Sequence, residues 1–321
     1  MRDTPLISVV IPCHNAERWI AATLRSVLAQ DWPPLEVIVV DDGSSDASVA
    51  VVDQGFPQVR LLRQLNRGVA AARNFGIREA QGGWIAFVDA DDIWLPGKLK
   101  AQWEALAACP EARVAYTAWQ VWPSEDAEPA AALLQHLEVA AQDPTRWLGA
   151  TGWIYSDLLL ECAVWTSTVL AERTLFDEVG LFDESLRVGE DYDLWLRVSQ
   201  TSQIIRVARP YALYRAHPSS ITRTPLPANY QVQVIERAIK RWGYAAPDGR
   251  SADKKAVDRG LAFSWRNFAG AQFMAGDMVR ARYGIVQALK KNSLDLDTWV
   301  LCAKIGWRNI QSMMTRGGWE R

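Results

Sequence analysis

The chain is poor in sulfur chemistry. Its four cysteines, Cys13, Cys109, Cys162 and Cys302, stand far apart with no C-x-x-C pair, which excludes a zinc knuckle or dithiol motif and suits a reducing cytosol. No run approaches the roughly 20 apolar residues of a membrane span. The apolar stretch from Leu6 ends at Pro12 and is too brief for a secretory h-region. An excess of positive charge is also missing: 35 Lys and Arg stand against 37 Asp and Glu, a formal net charge of -2. That balance argues against a nucleic-acid surface and leaves a mononucleotide open.

What is present is an ordinary globular composition, 49% hydrophobic and 22% charged over 321 residues, enough for one large domain and a smaller one. Sixteen tryptophans are the unusual feature. Apolar β-branched runs alternate with helical spacing: "LISVVIP" (6–12), "ERWIAATLRSVLAQ" (17–30), "LEVIVVDDGSSD" (35–46), "VRLLRQ" (59–64), "GVAAARNFGIREA" (68–80) and "GWIAFVDADD" (83–92). Strands apolar along their whole length predict an α/β fold with a mostly parallel, Rossmann-like sheet covered by helices on both faces. Ligands of such sheets bind beyond the carboxyl ends of the strands. The polar residues collect there: Pro12 to Asn15, Asp41 to Asp46, Asn66, and Asp89 to Asp92.

Periodicity weakens from about 119 to 163 and returns over 164–200, read as a strand, a short helix, an acidic loop and a second helix. "RPYALYRAHPSSIT" (209–222) reads as a last strand, and Pro225 and Pro227 mark a boundary. The expected division is 1–225, with a nucleotide-sugar half to about 115 and an acceptor half from 116, then a helical region over 226–321. There "SWRNFAGAQFMAGDMVRARYGIVQALKKNSLDLD" is a helical hairpin turning at Gly276-Asp277, with Ala281 and Ala288 allowing close packing.

"IPCHN", "VVDDGSSD", "NRGVAAARNFG", the "DAD" of "FVDADDIWLPGKL" and "GEDYDLWLR", in this order over about residues 5–222, resemble the family 2 inverting glycosyltransferases of GT-A fold. The resemblance implies a divalent cation, Mn²⁺ or Mg²⁺, bridging a carboxylate and the diphosphate of a nucleotide sugar. A diphosphate cannot approach several carboxylates without a hard cation between them. Asp91 is the implied metal ligand, and Asp89 faces ribose or sugar or shares the metal. Asp92 is open between this site and the N-cap of a helix beginning near Pro96.

By the same resemblance Asp42 accepts from the uracil N3–H, Asn15 fits the family pattern and Pro12 presents its carbonyl to the base. His14 stands where the family usually has a stacking tyrosine, a departure that bears on which nucleotide is used. Asn66 joins the donor residues. Arg73 either reaches the diphosphate or base or is a solvated helix residue. The aspartate of the Glu190-Asp191 pair is the implied general base, with helix capping by Asp191 as its competitor. His217 completes the metal shell or is a surface histidine beside a turn, and Arg215 is an alternative neutraliser of phosphate.

Trp165, Thr166 and Glu190 are the implied acceptor residues, with Ser167 on the same segment where acceptor loops of the family often start, since aromatic faces suit sugar C–H surfaces. Trp119, Trp122, Trp147 and Trp153 are weaker candidates. The implied reaction transfers a sugar, UDP-linked by resemblance, to a hydroxyl of a glycan or lipid-linked acceptor in bacterial surface polysaccharide synthesis. The expected location is cytoplasmic, with peripheral inner-membrane contact through the C-terminal helices as an option. Two other readings are a sugar nucleotidyltransferase, against which stands the lack of a glycine-rich basic loop in "IPCHNAERW", and a non-catalytic nucleotide-binding module.

Overall fold

A computed structural model describes residues 4–124, 126–143, 149–217 and 225–316, with side chains of the last helix described to residue 306. The chain divides into two compact units, Met1–Pro218 with Ala245–Arg250, and Ser219–Tyr244 with Ser251–Arg321.

In the first unit, β1 (Ile7–Cys13), α1 (Ile20–Leu28), β2 (Leu35–Asp42), α2 (Ser48–Gly55), β3 (Arg60–Gln64), α3 (Val69–Glu79) and β4 (Trp84–Phe87) form consecutive β-α units. They are followed by β5 (Ile93–Trp94), α4 (Lys98–Ala108), β6 (Ala112–Trp122), α5 (Ala131–Ala140), α6 (Tyr155–Leu158), a 3₁₀ turn (Thr166–Thr168), β7 (Leu170–Glu172), α7 (Thr174–Val179), α8 (Glu190–Val198) and β8 (Gln203–Arg215). One eight-stranded sheet results, in the order β3-β2-β1-β4-β7-β6-β8-β5. The β3-β2-β1-β4 half is parallel throughout. In the other half β7 is antiparallel to both neighbours, whereas β6 and β8 run parallel.

The first half folds as its apolar runs require. Every residue of β1 is buried, so the strand needs cover on both faces. Ile7, Val9 and Ile11 pack into one core with Ile20, Leu24 and Val27 of α1. On the other face α3 lies so close that a Cβ on Gly76 would come within 2.4 Å of Val10. Burying each such Val or Ile is worth about 1.5–3 kcal/mol.

Two expectations are corrected. Strand β4 ends at Phe87, so Asp89 to Asp92 occupy a turn between β4 and the two-residue β5. Helix α4 starts at Lys98, and its N-cap is Gly97 at φ 81° with no side-chain cap, so Asp92 caps no helix. Strand β6, for which the sequence reading had no element, pairs with β8 over most of its length.

The second unit contains α9 (Tyr230–Trp242), α10 (Lys254–Met274), α11 (Met278–Lys291) and α12 (Leu296–Arg316). Asp253 and Asp277 cap α10 and α11 by accepting from backbone N–H groups of the first turn. Ala281 and Ala288 are fully buried in the α10–α11 hairpin, and a Cβ on Gly284 would meet Ala269 at 2.9 Å.

Candidate active site

Parallel strands β1, β2 and β3 deliver the first group of polar residues to one edge. His14 Nδ1 lies 3.0 Å from the Asp42 carbonyl, and Asn66 Nδ2 is 3.3 Å from both ring nitrogens of His14. Asn15, at φ 52°, accepts from Ser45 N at 2.8 Å through its side chain and donates its own N–H to Ser44 Oγ. Gly43 must be glycine here, because at φ 73° a Cβ would lie 2.9 Å from Asn66 N. His14, Asn15 and Asn66 are exposed, whereas Pro12 is buried within β1, in register with Val40.

Asp42 is only 4% exposed. It accepts from Gln64 Nε2, Arg67 N and Gly68 N, each at 2.8 Å. A carboxylate has roughly four acceptor positions, so about one is left for a ligand. Asp42 therefore also builds the 64–68 loop that brings Asn66 to His14.

The second group is built around the acids. Asp91 Oδ2 is 2.9 Å from His217 Nε2. His217 is 5% exposed and stacks on Trp19 with ring centroids 4.2 Å apart, so it is an anchored side chain and not a surface one. Asp92 is 1% exposed and accepts from Ser167 Oγ at 2.7 Å and Arg215 N at 3.1 Å. Burial first, then the neighbouring Asp91 and Asp89, pushes its carboxyl well above the usual range. Ser167 Oγ also accepts from Asp89 N at 3.0 Å, which closes the turn.

Arg215 is fully buried, with its guanidinium donating to the carbonyls of Asp91, Asp126 and Ala127 and stacked 4.2 Å from the Trp122 ring centroid. It is thus unavailable to a phosphate, and Trp122 beneath it is unavailable to an acceptor. Arg73 is likewise no solvated helix residue. It is 3% exposed, donating through Nη2 to Asp89 Oδ1 at 2.6 Å and through Nη1 to Glu190 Oε1 at 2.7 Å. Both ends of the guanidinium are taken up by carboxylates, and Nε is buried with no partner.

The third group sits at the start of α8, whose N-cap is Gly189 with no side-chain cap. Asp191 is therefore not the cap. Its Oδ2 accepts from Thr166 Oγ1 at 3.2 Å, and Thr166 Oγ1 in turn accepts from Trp195 Nε1 at 3.2 Å. The indole N–H can only donate to this oxygen and the carboxylate can only accept from it, so the hydroxyl proton is turned to Asp191. Thr166 is fully buried against Asp191, and Glu190, 6% exposed, accepts from Arg73. Burial, followed by the adjacent Asp191, raises Glu190 to about 7 against the opposing pull of Arg73. Trp165 is half-buried, Trp119 is exposed, and Trp147 lies outside the described residues. Trp153 stands apart, its carbonyl accepting from Arg250.

Sequence reasoning put Ser167 on the acceptor side and gave it no part in the acidic turn. The three consecutive residues Trp165, Thr166 and Ser167 touch an aromatic cluster, Asp191 and Asp92 respectively. The segment leads into β7, which pairs with β4 on one side and β6 on the other.

A divalent cation fits this donor set. Asp91 and His217 offer a carboxylate oxygen and an imidazole nitrogen at one point, suited to Mn²⁺ or Mg²⁺. Among the described residues no group of three or more His, Cys, Asp or Glu forms a closed metal cage. The remaining positions would fall to phosphate oxygens and water, as is usual for cations held by one or two carboxylates plus substrate.

A mostly parallel sheet whose strand ends gather a polar edge and two acidic segments has the GT-A fold. The chain belongs to glycosyl transferase family 2, whose model matches residues 8–134. It is 30% identical over 224 residues to the E. coli UDP-Glc:alpha-D-GlcNAc-diphosphoundecaprenol beta-1,3-glucosyltransferase WfgD, covering 68% of this chain and 81% of that protein. It is 28% identical to an uncharacterized glycosyltransferase of Rickettsia prowazekii, covering 70% of this chain and 68% of the relative. Among solved structures, S. aureus TarS 1–349 in complex with UDP-GlcNAc superposes with TM-score 0.62 at 18% identity, covering 98% and 93% of the two chains. The mannosyltransferase PcManGT from Pyrobaculum calidifontis, in complex with GDP-Man and Mn²⁺, superposes with TM-score 0.57 at 20% identity, covering 96% and 81%.

Proposed function

We propose that this glycosyltransferase is inverting and metal-dependent, and transfers a sugar from a UDP-sugar to a hydroxyl of a lipid-linked glycan in surface polysaccharide synthesis. The observation that carries the reading is the fixed, half-buried Asp191, held by Thr166 on the same short segment that holds the acidic turn through Ser167. His14, Asn15, Asp42 and Asn66 receive the nucleotide, with Pro12 beneath the base. Asp89 faces the ribose or sugar. Asp91 and His217 would hold the cation, which when bound offsets the charge of the leaving diphosphate.

Asp191 takes the proton of the acceptor hydroxyl as that oxygen bonds to the anomeric carbon. The bond from the anomeric carbon to the diphosphate oxygen breaks on the opposite face, and the nucleotide diphosphate carries off the electron pair. One displacement with one base inverts the anomeric centre. Proton NMR of the product from an α-linked UDP-sugar tests this directly: a β-linked product is expected, and an α-linked one would end the single-displacement reading. The WfgD likeness supports a diphospholipid-linked GlcNAc acceptor. Thermal shift with UDP and GDP, each with and without Mn²⁺, tests the nucleotide.

We also infer peripheral contact with an anionic bilayer through the second unit. Helix α11 buries Ala281, Gly284, Ile285 and Ala288, yet Val279 is 80% and Val286 50% exposed on the opposite side. A helix apolar on two faces has a second surface to cover. Arg282 and Lys290 flank this stripe, as basic residues flank membrane-surface helices. Flotation with anionic liposomes is expected to fall when Val279 and Val286 are changed to Asp, and equal flotation would remove the membrane from this account.

A further inference from the structure

Trp165 and Tyr214 lie with ring centroids 5.3 Å apart, Trp165 and Trp119 5.3 Å apart, and Trp119 and Tyr214 6.2 Å apart. They come from three places: Trp119 from β6, Tyr214 from the parallel β8, and Trp165 from the segment before the 3₁₀ turn. Of the other tryptophans in this unit that pack on one another, Trp32 and Trp84 are interior at 8% exposure each, and the Trp103 they share is half-buried. Trp119 departs from that pattern with 36% exposure, and Trp165 and Tyr214 are half-buried beside it.

The cluster has a definite place. β6 and β8 run parallel, and β8 ends by delivering His217 to Asp91, so the carboxyl-terminal half of β6 lies at the catalytic edge of the sheet. Trp165 adjoins Thr166, whose hydroxyl donates to Asp191. A ring surface open to solvent therefore stands one residue from the contact that fixes the base. With Thr166 and Glu190 buried, Trp165 and the exposed Trp119 beside it offer aromatic surface next to the segment that holds the base.

We propose that Trp119, Trp165 and Tyr214 form a stacking subsite for the pyranose ring that carries the acceptor hydroxyl, and that this ring presents an apolar face of axial C–H bonds, as gluco-configured sugars do. This rests on the reading of Asp191 as base. Aromatic rings bind such C–H faces through dispersion and their negative π-faces, and the surrounding edge is free of fixed charge from these three residues. The subsite selects a sugar ring over a bare alcohol or a hydroxyl on a peptide, and sets which ring hydroxyl meets Asp191.

The test is saturation-transfer NMR with the full-length protein and methyl N-acetyl-β-glucosaminide or methyl β-glucoside, which reads binding without turnover. The expected result is saturation concentrated on the C–H bonds of one ring face, with affinity falling about tenfold in Trp119→Ala and recovering in Trp119→Phe. In turnover, the acceptor KM rises by the same factor while the donor KM stays put. Equal binding by wild type and Trp119→Ala, or no saturation of either glycoside by wild type, would overturn the proposal. Calorimetry of UDP on the same samples separates the two readings: sugar binding without UDP binding removes the transferase mechanism and leaves the subsite. UDP binding with unaltered sugar affinity in the variant removes the subsite alone.

Discussion

The turn at Asp89–Asp92 and the start of α8 at Glu190–Asp191 solve one problem in two ways. Each places a half-buried acid beside a buried one: Asp91 beside Asp92, and Asp191 beside Glu190. In the turn the buried acid is met by neutral donors, the Ser167 hydroxyl and the Arg215 N–H. At the helix it is met by a cation, Arg73, which also holds Asp89. A buried acid with neutral partners can keep its proton, whereas one paired to a buried cation belongs to a network in which each charge depends on the others. The outward acids are free to act because the inward ones hold the backbone that carries them.

The largest expected effect breaks the outward pair. Asp191→Asn is nearly isosteric and keeps an oxygen for Thr166, so UDP affinity by calorimetry is expected to be unchanged. Turnover is expected to fall by about 10²- to 10⁴-fold, the usual worth of general-base assistance. Near-normal turnover would place the base elsewhere.

Next comes the cation. Arg73→Met leaves Asp89 and Glu190 facing one another without compensation, and losing one partner of a buried charge pair costs about 3–5 kcal/mol. Chemical denaturation should show that loss, and Arg73→Lys should recover only part of it, since an ammonium cannot fork to two carboxylates. A stability change under 1 kcal/mol would mean that the pair is no more than a surface bridge.

Ser167→Ala is the matching test on the turn. It strips a donor from Asp92 and an acceptor from Asp89 N, with an expected cost of about 1–3 kcal/mol. The loss should be smaller than for Arg73→Met, because Asp92, already pushed toward its neutral form by burial, can stay protonated. A loss as large as that of Arg73→Met would erase the distinction between the two segments.

How much of this was legible beforehand follows the same division. The parallel half of the sheet and the residues at its strand ends could be read because each polar group directly follows its own apolar run, as Asp42 follows "LEVIVV". The GT-A architecture came with them. The partners of these acids could not be read, because Ser167, Thr166 and Arg215 acquire their roles from contacts 25 to 123 residues away. Local rules also misled: an aspartate shortly before a helix suggests a cap, but the chain inserts β5 and lets Gly97 begin α4. Arg73 looked like one of many charged helix residues because nothing in "AARNFG" records that its side is covered by Phe182 and α8.

The smallest expected effect concerns protons. Burial and Asp191 raise Glu190 from 4.5 to about 7, so between those values the folded protein holds a proton that the unfolded chain has released. That contribution to stability is complete below about 4.5 and is lost as pH rises through about 7. Gln cannot ionise, so Glu190→Gln lacks this dependence whatever it costs in absolute stability. Its melting temperature relative to wild type should therefore climb between pH 5 and pH 8, by on the order of a few °C. Parallel melting curves for the two proteins across that range would mean that Arg73 keeps Glu190 ionised throughout, making the α8 pair a permanent salt bridge and the contrast with Asp92 sharper still.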